Sequence, residues 1–222
     1  MRRVLTVICV LCGMLSLAHT AIGDTDIYHT PTEGQLSEAE VLDITTAFWM
    51  ELCSVDISEE VNEGNYSALF GPGRQWGAKT DDDCWVIDIP LAADIPIRPM
   101  IIIHGTTGEV VYWQFRNKET KILYICLLPD ETLLSENEAI RIANDHFHEN
   151  TEVGKKALYI NRALGLGQYW PELDNMGYDN YPVWSILIAS SDLSFPEVGQ
   201  YYISAIDGVV LRSEIVLDST CE

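Results

Sequence analysis

The sequence predicts an α+β fold made of two repeated units, each one helix packed on an antiparallel sheet. Two observations carry this. The first is a set of three blocks that recur in one order. Leu36-Ser37-Glu38-Ala39-Glu40 returns as Leu134-Ser135-Glu136-Asn137-Glu138, at an offset of 98. Trp85-Val86-Ile87-Asp88-Ile89 returns as Trp184-Ser185-Ile186-Leu187-Ile188, at 99. Thr107-Gly108-Glu109-Val110-Val111 returns as Asp207-Gly208-Val209-Val210-Leu211, at 100. A unit of this length is too long for a solenoid repeat. The second observation is a change of period within each unit, from helical spacing at the start to strand alternation and glycine turns at the end.

The chain opens on Arg2 and Arg3, followed by the apolar run Val4 to Leu17 and small residues at Ala21 and Gly23. That pattern predicts a secretory signal over residues 1–23. The run is too short for a comfortable membrane span, so no span is expected in the mature chain. Residues 24–35 read as a linker, 36–116 as the first unit, 117–133 as a connector and 134–222 as the second unit.

Each helix starts at a capping box, in which a serine hydroxyl accepts from the backbone three residues on and a glutamate there reaches back. Ser37 with Glu40 and Ser135 with Glu138 fit it. Val41, Ile44, Phe48 and Leu52 then recur at helical spacing, as do Ile140, Ala143 and Phe147. Helices are therefore expected over 36–52 and 135–148. Strands follow at Trp85–Ile89, Met100–His104 and Val110–Arg116, then at Val183–Ala189, Gln200–Ile206 and Val209–Val216. Gly108 and Gly208 sit in the hairpin turns, where positive φ is cheap for glycine. Ile122–Leu128 offers a further short strand in the connector. Pro96 and Pro99 suggest a sheet edge between the first strands. Residues 53–83 and 149–182 are rich in glycine and read as irregular inserts, the regions best suited to specific contacts.

Composition limits the function. The 222 residues carry 34 Asp+Glu against 13 Lys+Arg, a formal charge of −21. Removing Arg2 and Arg3 with the signal takes it to −23. Such a surface repels nucleic acid and anionic membrane. Apolar residues at 47% suffice for a core. Cys9 and Cys12 fall in the signal, which leaves Cys53, Cys84, Cys126 and Cys221. Outside the cell these can pair. A Cys53–Cys84 bond would staple the first insert at both ends, with free thiols as the alternative.

Reactive constellations are weak. His146 and His148 stand two apart, whereas a zinc-protease helix needs histidines four apart on one face. Asp81-Asp82-Asp83, and Glu172, Asp174, Asn175 and Asp179 around Gly177, suit calcium in charge but not in spacing. Gly165-Leu-Gly167 lacks the third glycine of a nucleotide loop. His104, at a strand end, reads as structural. No catalytic, metal or cofactor residue is therefore assigned. Trp85 and Trp184 read as core, because both hold the same place in a repeat. Trp76 and Trp170, in the inserts, are the candidate partner-binding anchors, since tryptophan dominates many binding surfaces.

The order of a Leu-Ser-Glu-x-Glu helix start, Trp-x-Ile/Val-x-Ile and a Gly turn before Val-Val/Leu resembles the PepSY domain. The resemblance covers Leu36 to Arg116 and Leu134 to Val216. It implies a cystatin-like helix-on-sheet fold and a secreted, non-enzymatic protein that binds or restrains a peptidase, with a secreted metallopeptidase as partner. It supplies no catalytic residues. A structural or ligand-sensing module of the cell envelope is the alternative.

Overall fold

A computed structural model describes residues 28–89, 99–117, 119–151, 157–190 and 197–217. The predicted signal, Pro96 and Cys221 lie outside the described residues. Among the described residues three helices, α1 (Glu38–Cys53), α2 (Ser58–Asn62) and α3 (Glu136–Asn150), accompany nine strands. These are β1 (Ser67–Pro72), β2 (Asp83–Asp88), β3 (Met100–His104), β4 (Val110–Arg116), β5 (Leu123–Ile125), β6 (Ala157–Leu166), β7 (Pro182–Ser190), β8 (Glu197–Ser204) and β9 (Val210–Leu217).

The α+β class holds, but the sheet is mixed and continuous. All nine strands lie side by side in chain order. Every neighbouring pair is antiparallel except β5 and β6, which are parallel. A parallel step needs a crossover, and α3 supplies it. The connector strand β5 thus joins the two halves of one sheet. No edge forms near Pro99. There β2 pairs directly with β3, and the Ile89 N–H extends the ladder to the Pro99 carbonyl at 3.1 Å.

Two strands read as insert in the sequence are ordered pairing partners. β1 ends in Gly71-Pro72, which signals a break, yet Pro72 closes an edge strand where a missing N–H costs little. β6 contains Gly165, where an added Cβ would meet the Ile125 Cβ and carbonyl oxygen at 2.9 Å. The glycine permits the close β5–β6 approach rather than breaking the strand.

Both helices lie on one face of the sheet and share one core. On that face Val41, Leu42 and Trp49 of α1 and Ala139, Ala143 and Phe147 of α3 meet Trp85, Ile87, Ile101, Ile103, Leu164, Trp184, Ile186 and Ile203. The α1 stripe is rotated from the expected one: Leu42, Thr45 and Trp49 are buried with Val41, while Ile44, Phe48 and Leu52 sit half-buried at its side. Thr45 is tolerated inside because its hydroxyl donates to the Val41 carbonyl at 2.7 Å.

The same bonds hold both helices to the sheet. Ser37 caps α1 in a complete capping box with Glu40, and Ser135 accepts from the Glu138 N–H. The Trp85 indole donates to the Leu36 carbonyl at 2.9 Å, and the Trp184 indole to Leu134 at 2.8 Å. Leu36 N–H donates to Gly105 and Leu134 N–H to Ala205, at 2.7 and 2.6 Å. Gly108 and Gly208 turn the hairpins at φ of 73° and 75°. Each hairpin carries a bulge at one place, after Ile102 and after Tyr202.

Candidate functional site

The opposite face of the sheet is where the inserts gather. Alternation sends Cys84, Val86, Ile102, Leu123, Ile125, Val183 and Tyr202 to that side. Such a face must be covered. The first insert folds down through a 3-10 turn at Gly73–Trp76, the second through turns at Gly167–Tyr169 and Pro171–Leu173. A Lys79 to Asp174 ion pair at 3.2 Å ties the two inserts together. Tyr169 anchors the second by donating to the Val111 carbonyl at 3.0 Å, with its ring edge-on to Tyr112. Burial pushes both phenols up.

This packing treats the two expected anchors differently. Trp170 is 7% exposed among Leu123, Ile125, Ala163, Leu173, Val183 and Tyr202, so it is a core residue and presents no contact surface. Trp76 is half-buried against Ala78 and Cys84, and Tyr28 stacks on it at 6.1 Å. Trp85 and Trp184 are core, as expected.

The expected staple is also absent. Cys53, Cys84 and Cys126 are free thiols. Cys53 packs on the helix face, whereas Cys84 is fully buried on the insert face. The sheet stands between them, and a disulfide needs their Cα atoms within about 7 Å with facing Cβ vectors. Burial first, then the Asp82 and Asp83 charges, pushes the Cys84 thiol up to about 11. Since the thiolate is the reactive form, Cys84 is expected to resist alkylation in the folded protein at pH 8 and to react on unfolding. Peptide mapping without reductant checks this; a linked Cys53–Cys84 peptide would contradict the separation by the sheet.

The acidic run is dispersed among separate partners. Asp81 pairs with Arg74 at 2.7 Å. Asp82 accepts from the Thr80 hydroxyl at 2.8 Å and lies 3.4 Å from His104 Nε2. The Thr80 bond first, then His104, holds the Asp82 carboxyl below its usual range. Asp83 meets His29 Nε2 at 3.1 Å and the Gln35 amide at 3.3 Å. Among the described residues no three His, Cys, Asp or Glu side chains converge as a metal centre requires. His146 lies edge-on to the Tyr201 ring at 5.6 Å, while His148 is exposed.

Beside Trp170 a small cleft of about 30 Å³ is lined by Leu123, Asn161, Ala163, Ser185, Leu187 and Gln200. It has room for about one water. The Gln200 amide donates to the Ser185 hydroxyl at 2.7 Å. An amide is no base, so this contact does not activate the serine as a nucleophile. Nearby, Arg162 pairs with Glu136 at 2.6 Å, which ties β6 to the start of α3. No local motif signals that pair, because strand and helix meet only after the crossover.

The surface offered by the insert layer is acidic. Asp81, Asp82, Asp174 and Asp179 are exposed there, beside Met176 at 44% exposure. Arg74 and Lys79 are already paired with Asp81 and Asp174. Among the described residues of this layer no nucleophile–base pair is formed. No helix among the described residues is long and apolar enough to cross a membrane. No family model, curated protein or solved structure matches this chain.

Proposed function

We propose that the chain is a secreted, non-enzymatic binding protein built from two PepSY-like units of cystatin-like form, which binds or restrains a secreted metallopeptidase. One observation carries this reading: the helix-to-sheet bonds of Trp85 and Leu36 recur at Trp184 and Leu134, within the same order of helix, strands and bulged hairpin. That recurrence supports a duplicated helix-on-sheet unit and a scaffold role. The acidic insert layer supports a basic partner. The charge of −23 that remains once the signal is removed steers such a partner toward it, and the attraction weakens as salt screens it.

The test is capture from the host's culture supernatant, followed by inhibition assays on each secreted peptidase recovered. Slowed peptidase turnover, with association weakening as salt rises, is expected. Robust hydrolysis of peptide, ester or glycoside substrates by the protein itself, abolished by one carboxylate substitution, would overturn the non-enzymatic reading. Neither binding nor inhibition across the host's secreted peptidases would favour an envelope module instead.

A further inference from the structure

A sheet edge exposes a row of unpaired N–H and C=O groups, which natural proteins blunt, cover or use. Here the edges are β1 and β9, and they are treated differently. β1 is covered in part. The His29 N–H donates to the Phe70 carbonyl at 3.2 Å, and its ring stands edge-on to Phe70 at 5.1 Å. Pro72 ends the strand without an N–H. β9 runs for eight residues, and its outer side has no strand partner among the described residues. Arg212, Ser213 and Glu214 at its middle are all exposed.

We propose that β9 pairs antiparallel with β9 of a second copy of this chain, about a two-fold axis at Ser213, joining two nine-stranded sheets into one. The register follows from symmetry and charge. An axis perpendicular to the sheet keeps each residue on its own face, so it must pass through a residue opposed to itself. With Ser213 opposite Ser213, Arg212 faces Glu214 of the second copy, and Glu214 faces its Arg212. Leu211 and Ile215 then take opposed positions as well. An axis at Arg212 sets arginine against arginine, and one at Glu214 sets glutamate against glutamate. Opposed unlike charges stabilise a strand pair and like charges weaken it, so the strand selects the Ser213 register.

Within the chain, Arg212 lies opposite Tyr202 and Glu214 opposite Gln200, which places both on the insert face. Among the described residues Arg212 gives one bond, to the Glu172 carbonyl at 3.0 Å, which leaves the rest of the guanidinium fork for a carboxylate. The reciprocal pattern favours a second copy over an unrelated peptide, which has no need to match it. Without the predicted signal each copy carries −23, so two copies repel at long range. Salt screens that repulsion beyond about 10 Å at 0.1 M while leaving the backbone ladder intact. Moderate salt therefore strengthens this association, opposite to the salt effect on a basic partner. The proposal does not depend on the peptidase reading.

Sedimentation velocity on the protein as processed by its expression host, over a concentration series into the high micromolar range, tests it. A dimer is expected for the wild type and for the charge swap Arg212→Glu/Glu214→Arg. Each single variant, Arg212→Glu or Glu214→Arg, opposes like charges twice and should weaken the dimer about tenfold or more. Circular dichroism melting of every variant controls for folding, and hydrogen exchange should show the outward-facing wild-type amides within 211–215, those not bonded to β8, gaining protection as the dimer fills. A wild type that stays monomeric at all concentrations and salts would overturn the proposal. So would a dimer indifferent to both single substitutions, or singles whose loss the swap does not restore.

Discussion

Replacing Trp49 by alanine is expected to cost about 3–5 kcal/mol, the range for emptying a large aromatic site in a packed core. Trp49 is 1% exposed on the sheet side of α1. Its ring stands edge-on to Trp113 at 6.0 Å and to Phe48 at 5.2 Å, and tilts against Phe115 at 6.3 Å. Such aromatic pairs add stability beyond their area. Trp49 seats α1 on the sheet together with Val41 and Leu42, so the surroundings cannot collapse without moving the helix. A natural domain is stable by only about 5–15 kcal/mol, so the variant should lose much of its margin. Denaturant unfolding followed by circular dichroism measures it; a loss under about 1 kcal/mol would mean that α1 is not seated by Trp49. Trp49→Phe should do far less harm. It keeps a ring in place and removes a buried indole N–H that has no partner among the described residues.

Gly167→Ala is expected to lift the second insert from the sheet. An added Cβ there falls against the Tyr178 carbonyl oxygen, well inside van der Waals contact, and 3.0 Å from the Tyr178 carbonyl carbon. Neither backbone is free to yield. The Gly167 N–H donates to Tyr181 at 2.8 Å and the Gln168 N–H to Asp179 at 2.9 Å. Overpacking costs about 1–3 kcal/mol where neighbours can shift, and backbone against backbone belongs at the upper end. Because the insert covers Trp170 and Tyr202, its displacement should also raise tryptophan accessibility to a quencher. Gly177→Ala is the control. Its Cβ meets nothing within 4 Å, but its φ of +80° strains an alanine, for about 1 kcal/mol and no change in quenching. A Gly167→Ala protein as stable as the wild type would show that the close approach of 167 and 178 does not hold the insert.

Local signals are legible in the sequence because their physics is local. A serine reaches an N–H three residues away whatever the rest of the chain does, so Ser37 and Ser135 mark the starts of α1 and α3 in any context. Gly108 and Gly208 turn their hairpins for the same reason. The helix stripe was less legible. Ile44 and Phe48 keep the helical period, but the face that docks is decided by the sheet beneath, which draws in Leu42 and Trp49 instead.

By itself, then, the sequence determined the α+β class, both long helices, the two matched hairpins and the core place of Trp85 and Trp184. Only the tertiary structure decided that nine strands form one mixed sheet, that β1 and β6 belong to it, and that Trp170 is buried. It also decided that Cys53 and Cys84 lie on opposite faces, and that among the described residues β1 is partly covered while β9 has no outer strand partner. The physical reason is range. Capping and turn preferences act over a few residues. Sheet order, facing and edges depend on pairings between segments far apart in the chain, such as β5 with β6 across α3, and no short pattern encodes which partner a strand will meet.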